Sequence, residues 1–221
     1  MKKAFLFDMD GVLADTETMW DKLGYDDLLI DFFGQELFEK VPVKSGMSFR
    51  GIFDTFVAAG WQGEYQPFHD RNIEMGNSIY PSIPLSPGVD ELIKYLSDDG
   101  FTIGIVSSSP IEWVNQLVSR FKSYDLIKYF LSVNNHKTLK PKPSPDPYLH
   151  AMKELAVNPH RTIILEDSAT GVAAAKASGA TTICYTAYNR GFSWQIMPEN
   201  ADYYAKNMGD VMDIVAKIDL Q

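Results

Sequence analysis

The chain has 221 residues, a formal net charge of −9 and a pI near 4.9, with 45% hydrophobic and 22% charged residues. That balance excludes wholesale disorder, and the acidity argues against nucleic acid held through its phosphates. A single cysteine, Cys184, excludes an internal disulfide; lying in the apolar run 181–185, it reads as a core thiol in a reducing, cytoplasmic setting.

Taken in chain order, the first element is an apolar run, Ala4-Phe5-Leu6-Phe7, of the kind buried on both faces inside a parallel sheet. Asp8 ends it too early for a signal peptide, although Lys2-Lys3 precede it. No later segment approaches the ~20 apolar residues of a membrane span, so no membrane partner is expected. Asp8 and Asp10 follow in Asp8-Met9-Asp10-Gly11. On an extended backbone their carboxylates share one side, about 6–7 Å apart. Their repulsion needs relief from solvent, a cation or a shared proton. A solvated turn explains these four residues as well as a site does.

Residues 15–85 show no strand pattern. Trp20, Phe32, Phe33, Phe38, Phe53 and Phe56 recur at helix-compatible spacings, punctuated by Gly34, Pro42, Gly46, Gly51, Gly60 and Gly63. The stretch reads as an inserted helical bundle, with the aromatic residues as its core rather than a binding surface.

From Ser86 onward strand and helix signals alternate. A helix runs from Ser86-Pro87-Gly88 to about Ser97, with Val89, Leu92, Ile93 and Leu96 on one face, stopped by Asp98-Asp99-Gly100. A strand at Phe101–Val106 leads into Ser109-Pro110-Ile111-Glu112, which reads as a capping box opening a helix to about Phe121. Strands follow at Tyr129–Val133, Thr162–Leu165 and Thr181–Tyr185, and helices at Pro145–Leu155, Ser168–Ser178 (closed by Gly179) and Asp210–Ile218. The alternation predicts an α/β fold, a Rossmann-like parallel sheet with helices on both faces. Residues 1–14 and 86–221 form this unit, and 15–85 a small α-helical cap.

In such a sheet the carboxyl ends of the strands converge on one side. The residues that follow them are Asp8 and Asp10; Ser107 and Ser108; a loop with Lys140 and Lys142 in Leu139-Lys140-Pro141-Lys142-Pro143-Ser144-Pro145; and Glu166, Asp167 and Ser168. Each has a bland reading as turn, cap or solvated loop, but four at one end of one sheet form a chemical set. The four carboxylates are hard oxygen ligands suited to Mg²⁺. A serine hydroxyl and a lysine suit a phosphoryl group. Asp8 can then act as a nucleophile and Asp10 as acid and base.

With these pieces the chain resembles the haloacid dehalogenase superfamily. The matching residues are Asp8-Met9-Asp10-Gly11-Val12-Leu13, Ser107, Lys142-Pro143-Ser144-Pro145-Asp146 and Leu165-Glu166-Asp167-Ser168, in the family's order. The branch it is most similar to is the β-phosphoglucomutase-like and sugar-phosphate phosphatase group, with a small helical cap. The resemblance implies that Asp8 is nucleophile and metal ligand. Asp10 is acid/base, with its backbone carbonyl on Mg²⁺. Ser107 binds phosphate, with Ser108 beside it. Lys142 pairs with phosphate and nucleophile. Asp167 binds Mg²⁺, with Glu166 as a further ligand. Lys140-Pro141-Lys142-Pro143 partly fits the lysine motif at Lys140; Lys142 is favoured because Pro145, Asp146 and Tyr148 then fall in place.

Gly46-Met47-Ser48-Phe49-Arg50-Gly51 resembles the cap's specificity loop, with Arg50 the candidate for the substrate's non-reacting part and Arg71 a weaker one. A surface arginine paired with an acid is the alternative for Arg50. The implied activity is a Mg²⁺-dependent phosphatase of a small phosphorylated metabolite, a sugar phosphate, in a monomeric protein. A hexose-phosphate mutase on the same site is the alternative. The mutases carry a histidine a few residues past the pair matching Asp15-Thr16, and here Trp20 stands near that place. A catalytically idle binding protein would have lost the nucleophile or the lysine, and both are present.

Overall fold

A computed structural model describes residues 2–41, 47–136, 138–189 and 198–220. Its first strand, β1 (Lys3–Phe7), runs into a helical segment of α1 (Thr16–Lys22), α2 (Tyr25–Phe33), α3 (Gln35–Lys40), α4 (Phe49–Ala58) and α5 (Tyr65–Ile79). Then follow α6 (Val89–Asp98), β2 (Phe101–Ser107), α7 (Ile111–Val118), β3 (Ile127–Ser132) and α8 (Asp146–Leu155). The chain closes with β4 (Thr162–Glu166), α9 (Ala169–Ala177), β5 (Thr181–Tyr185), β6 (Tyr203–Ala205) and α10 (Met208–Val215).

The six strands form one sheet in the order β3-β2-β1-β4-β5-β6, and each adjacent pair is parallel. β1 lies inside it, and Ala4 to Phe7 are wholly buried, as its continuous apolar run requires. Its side chains alternate between faces. Phe5 and Phe7 join the larger apolar cluster with Leu92, Ile93, Trp113 and Leu117, while Leu6 joins Tyr148, Ala151 and Ala174 on the other side. Phe7 sits opposite Ile105 of β2 and Leu165 of β4, and the Asp8 amide donates to the Leu165 carbonyl at 2.9 Å. This register brings the ends of three strands level, at the point where the sheet order reverses, the place where open α/β sheets put ligand sites.

The helical segment has a core of its own. Leu29, Phe33, Ile52, Phe53, Phe56 and Phe68 are buried together, and the Phe33 and Phe56 rings stack at 3.9 Å. Phe32 and Phe38 pack against this group, as the spacing predicts, while Trp20 stands between it and the sheet-side cluster, with its ring 5.2 Å from Tyr25, 6.0 Å from Phe49 and 5.7 Å from Trp113. The two chain passages joining segment and sheet are tied to each other. Ala14 and Leu85 form an antiparallel bridge, the Ser86 amide donates to Leu13 O at 2.8 Å, and the Ser86 hydroxyl donates to Val12 O at 2.6 Å.

Two expectations need correction, and one strand was not expected. β6 carries no alternating signal, being three residues with Tyr203 and Tyr204 exposed at the sheet edge. The capping box at Ser109 does not form. Pro110 occupies the N-cap position without a side-chain cap, and Asn135 Oδ1 accepts from the Ile111 amide at 2.9 Å, leaving the Ser109 hydroxyl free for a stronger acceptor. Gly51 is helical rather than the end of a loop, because Ser48 caps α4 by accepting from the Gly51 amide. Pro42 and Gly46 lie outside the described residues. Among the described residues no helix is long and apolar enough to cross a membrane.

Candidate active site

The site begins at the end of β1. Asp8 is 7% exposed, and its Oδ1 accepts from Lys142 Nζ at 2.6 Å. The same ammonium donates to Glu166 Oε1 at 2.6 Å and to the Val106 carbonyl at 3.2 Å, so its three protons have three acceptors. Lys142 thus reaches across the ends of β1, β2 and β4. Lys140, by contrast, is exposed, and its backbone amide donates to Asp146 Oδ2 at 3.3 Å.

Glu166 is the last residue of β4 and wholly buried. Its Oε1 also accepts from Tyr148 OH at 2.8 Å, and its Oε2 accepts from the Asp167 amide at 3.0 Å and from Ser168. A Cβ on Gly171 would stand 1.9 Å from Glu166 Oε1, so the first turn of α9 must be glycine for this carboxylate to fit. Asp167 depends on another glycine. Gly11 has φ +72°, and a Cβ there would lie 2.0 Å from Asp167 Oδ2.

Asp8, Glu166 and Asp167 together can offer carboxylate oxygens all within 4.8 Å of one another. Three carboxylates against one ammonium leave surplus negative charge in a buried place. Burial, and next the Glu166 carboxylate, push the Asp8 carboxyl well above the usual range against the pull of Lys142. Burial alone would lower the Lys142 ammonium, but Asp8 and Glu166 outweigh it and hold it well above the ordinary lysine value. A hard divalent cation suits this donor set in number, spacing and chemistry.

Asp10 does not share these partners. Its Oδ1 accepts from Tyr80 OH at 2.6 Å, and its Oδ2 from Ser109 Oγ at 2.7 Å and Ser107 Oγ at 3.4 Å. Ser107 ends β2, wholly buried, and its Oγ accepts from the Ser109 amide at 2.9 Å; Ser108 stands half-buried between them. Asp8, Asp10, Ser107, Lys142, Glu166 and Asp167 are therefore brought to one end of the sheet. Arg50 makes its contacts on its own helix and the next. Its guanidinium donates to Asp54 at 2.8 Å and lies 5.0 Å from the Tyr65 ring centre, largely exposed. Arg71 pairs with Asp31 in the same exposed manner. Tyr80, Ser109 and Tyr148 enter the site as partners that sequence reasoning did not assign. No local pattern gives Tyr80 or Ser109 this task, since each acts on a carboxylate far away in the chain, whereas Tyr148 counts only as part of the lysine motif. Cys184 lies behind Glu166 in β5 as a buried thiol, pushed up to about 12 by burial, with Asp167 and Glu166 adding to it. It is a core residue, as its apolar strand predicts.

A family model for haloacid dehalogenase-like hydrolases matches residues 5–185. The chain belongs to that family. It is 30% identical to hexitol phosphatase B of Escherichia coli over 185 residues, 81% of this chain and 82% of that one. It is 27% identical to a phosphorylated carbohydrates phosphatase of Thermotoga maritima, over 82% of this chain and 83% of that one. CbbY of Rhodobacter sphaeroides, solved in complex with phosphate, shares the fold, with a TM-score of 0.71 at 22% identity over 96% of both chains. Within the family the chain falls in the sugar-phosphate phosphatase branch, among the phosphoric monoester hydrolases.

Proposed function

We propose that the chain is a Mg²⁺-dependent phosphatase of a small phosphorylated carbohydrate, working through an aspartyl-phosphate on Asp8. The observation that carries this reading is the Lys142 bridge: one buried ammonium holds Asp8 at the end of β1 and is itself anchored by Glu166. An Asp8 oxygen attacks the phosphorus, and the bond from phosphorus to the substrate oxygen breaks. Asp10 gives that oxygen a proton. It then takes a proton from water, which attacks the phosphorus and frees Asp8. Lys142 and the Ser107 and Ser108 end of β2 face the charge on the phosphoryl oxygens. Asp8, Glu166 and Asp167, with the Asp10 backbone carbonyl, would hold the cation, which when bound neutralises phosphoryl charge. The helices α1 to α5, residues 15–85, serve as the cap over the site. The names of the relatives, hexitol phosphatase B and a phosphorylated carbohydrates phosphatase, support a carbohydrate leaving group.

The test is release of inorganic phosphate with Mg²⁺ from a panel of hexitol and sugar phosphates, phosphoglycolate and pyrophosphate. Rapid release from hexitol or sugar phosphates, lost in Asp8→Asn, is the expected result. Undiminished turnover by Asp8→Asn would remove Asp8 as nucleophile. Release from pyrophosphate alone would remove the carbohydrate.

A further inference from the structure

Asp10 is gripped by two hydroxyls that come from two different connections of the chain. Ser109 belongs to the loop after β2, whereas Tyr80 follows α5, where the helical segment returns to the sheet. The two oxygens are 3.2 Å apart, and each hydroxyl has one proton; the carboxylate, the stronger acceptor, takes both.

Tyr80 is also held with unusual care for a residue in a connector. It is 1% exposed, and its ring stacks on Trp113 at 4.6 Å and 18°. Trp113 is fixed in turn by a 3.0 Å bond from its Nε1 to Asn77 Oδ1. It can lie there only because residue 76 is glycine, where a Cβ would stand 2.0 Å from the indole. Arg120 donates to the Tyr80 carbonyl at 3.3 Å. An apolar stack alone needs no hydroxyl, so a phenylalanine would fill the space. What the hydroxyl adds is a 2.6 Å bond to one carboxylate oxygen.

We propose that Tyr80 is a positioning residue that aims the Asp10 carboxyl at the leaving-group oxygen, with Ser109 as the second point of the grip. The inference rests on the phosphatase reading above, in which Asp10 serves the leaving oxygen. Its consequence is selective. A sugar or hexitol alkoxide is a poor leaving group and needs the proton that a well-aimed acid supplies. An aryl oxide such as p-nitrophenolate leaves without it. Since kcat/KM reports events up to phospho-enzyme formation, a misaimed Asp10 hurts the alkyl phosphate and spares the aryl phosphate.

The experiment compares kcat/KM of wild type and Tyr80→Phe on the best alkyl phosphate and on p-nitrophenyl phosphate. General acid catalysis contributes about 10²–10⁴-fold, and loss of aim should lower the alkyl-to-aryl ratio by about tenfold or more. Ser109→Ala, made from the other side of the grip, should move the ratio the same way, which guards against a folding defect peculiar to Tyr80→Phe. Equal losses on both substrates in both variants, or no loss, would overturn the proposal, because a purely structural role cannot distinguish leaving groups. A wild-type enzyme inactive on every phosphate would instead bring down the phosphatase reading, and this inference with it.

Discussion

Lys142 is the residue on which the site's charge balance turns. Its side chain is 3% exposed, and the ammonium sits between Asp8 and Glu166 at 2.6 Å from each. Removing it would leave two buried carboxylates without a counter-charge, and breaking a buried pair in this way costs about 3–5 kcal/mol. Lys142→Met should therefore lose both turnover and about 3 kcal/mol of stability in urea unfolding. Adding Glu166→Gln should recover much of the stability but none of the turnover. A single variant as stable as wild type would show that the bridge carries no net charge compensation. Asp8, Glu166 and Asp167 are legible in the sequence because each ends a strand or follows one, and Lys142 because the residues after it fit the family's lysine motif. The hydroxyls of Tyr80 and Ser109 are not. A phenol or hydroxyl aimed at a carboxylate tens of residues away leaves no local pattern, and Ser109 looked like a helix cap because it precedes Pro110.

At the scale of elements, the turn from β4 into α9 shows how a helix start is shaped by the chemistry beside it. Ser168 caps α9 by accepting from the Gly171 amide at 3.0 Å, and Gly171 in turn leaves room for Glu166. Helix propensity favours alanine over glycine by about 1 kcal/mol. Here the clash should win. The Glu166 carboxylate is fixed by Lys142, Tyr148 and Ser168 and cannot step aside, and overpacking of this kind costs about 1–3 kcal/mol. Gly171→Ala should lower thermal stability and reduce turnover more than it reduces substrate affinity. A variant more stable than wild type would mean that Glu166 has freedom the hydrogen bonds deny it. The same scale explains what could be read of the fold. The buried strands and amphipathic helices of the sheet unit carry period-2 or period-3.6 signals or solid apolar runs, whereas β6 has three residues, two of them exposed, and offers none.

For the whole molecule the question is how an acidic chain, −9 overall, gathers yet more negative charge at the carboxyl end of its own sheet. Asp8, Glu166 and Asp167 converge because the register of β1 with β4 leaves them no other place. Lys142 meets only part of that charge, so the fold stores an unfavourable term that a divalent cation would relieve. Stabilisation by a bound ligand follows RT ln(1 + [L]/Kd), about 2.7 kcal/mol at a hundredfold excess over Kd. For a chain of this size each kcal/mol shifts the melting temperature by about 2–4 °C. Mg²⁺ should therefore raise the melting temperature of wild type by about 5–10 °C at saturation. EDTA should reverse the shift, and turnover should follow the same titration. Asp167→Asn removes one ligand and one of the crowded charges. It should melt above wild type without Mg²⁺ and gain little from adding it. If Mg²⁺ moves neither melting nor turnover of the wild type, the three carboxylates do not form a metal site. If Asp167→Asn gains as much as wild type, the cation sits elsewhere.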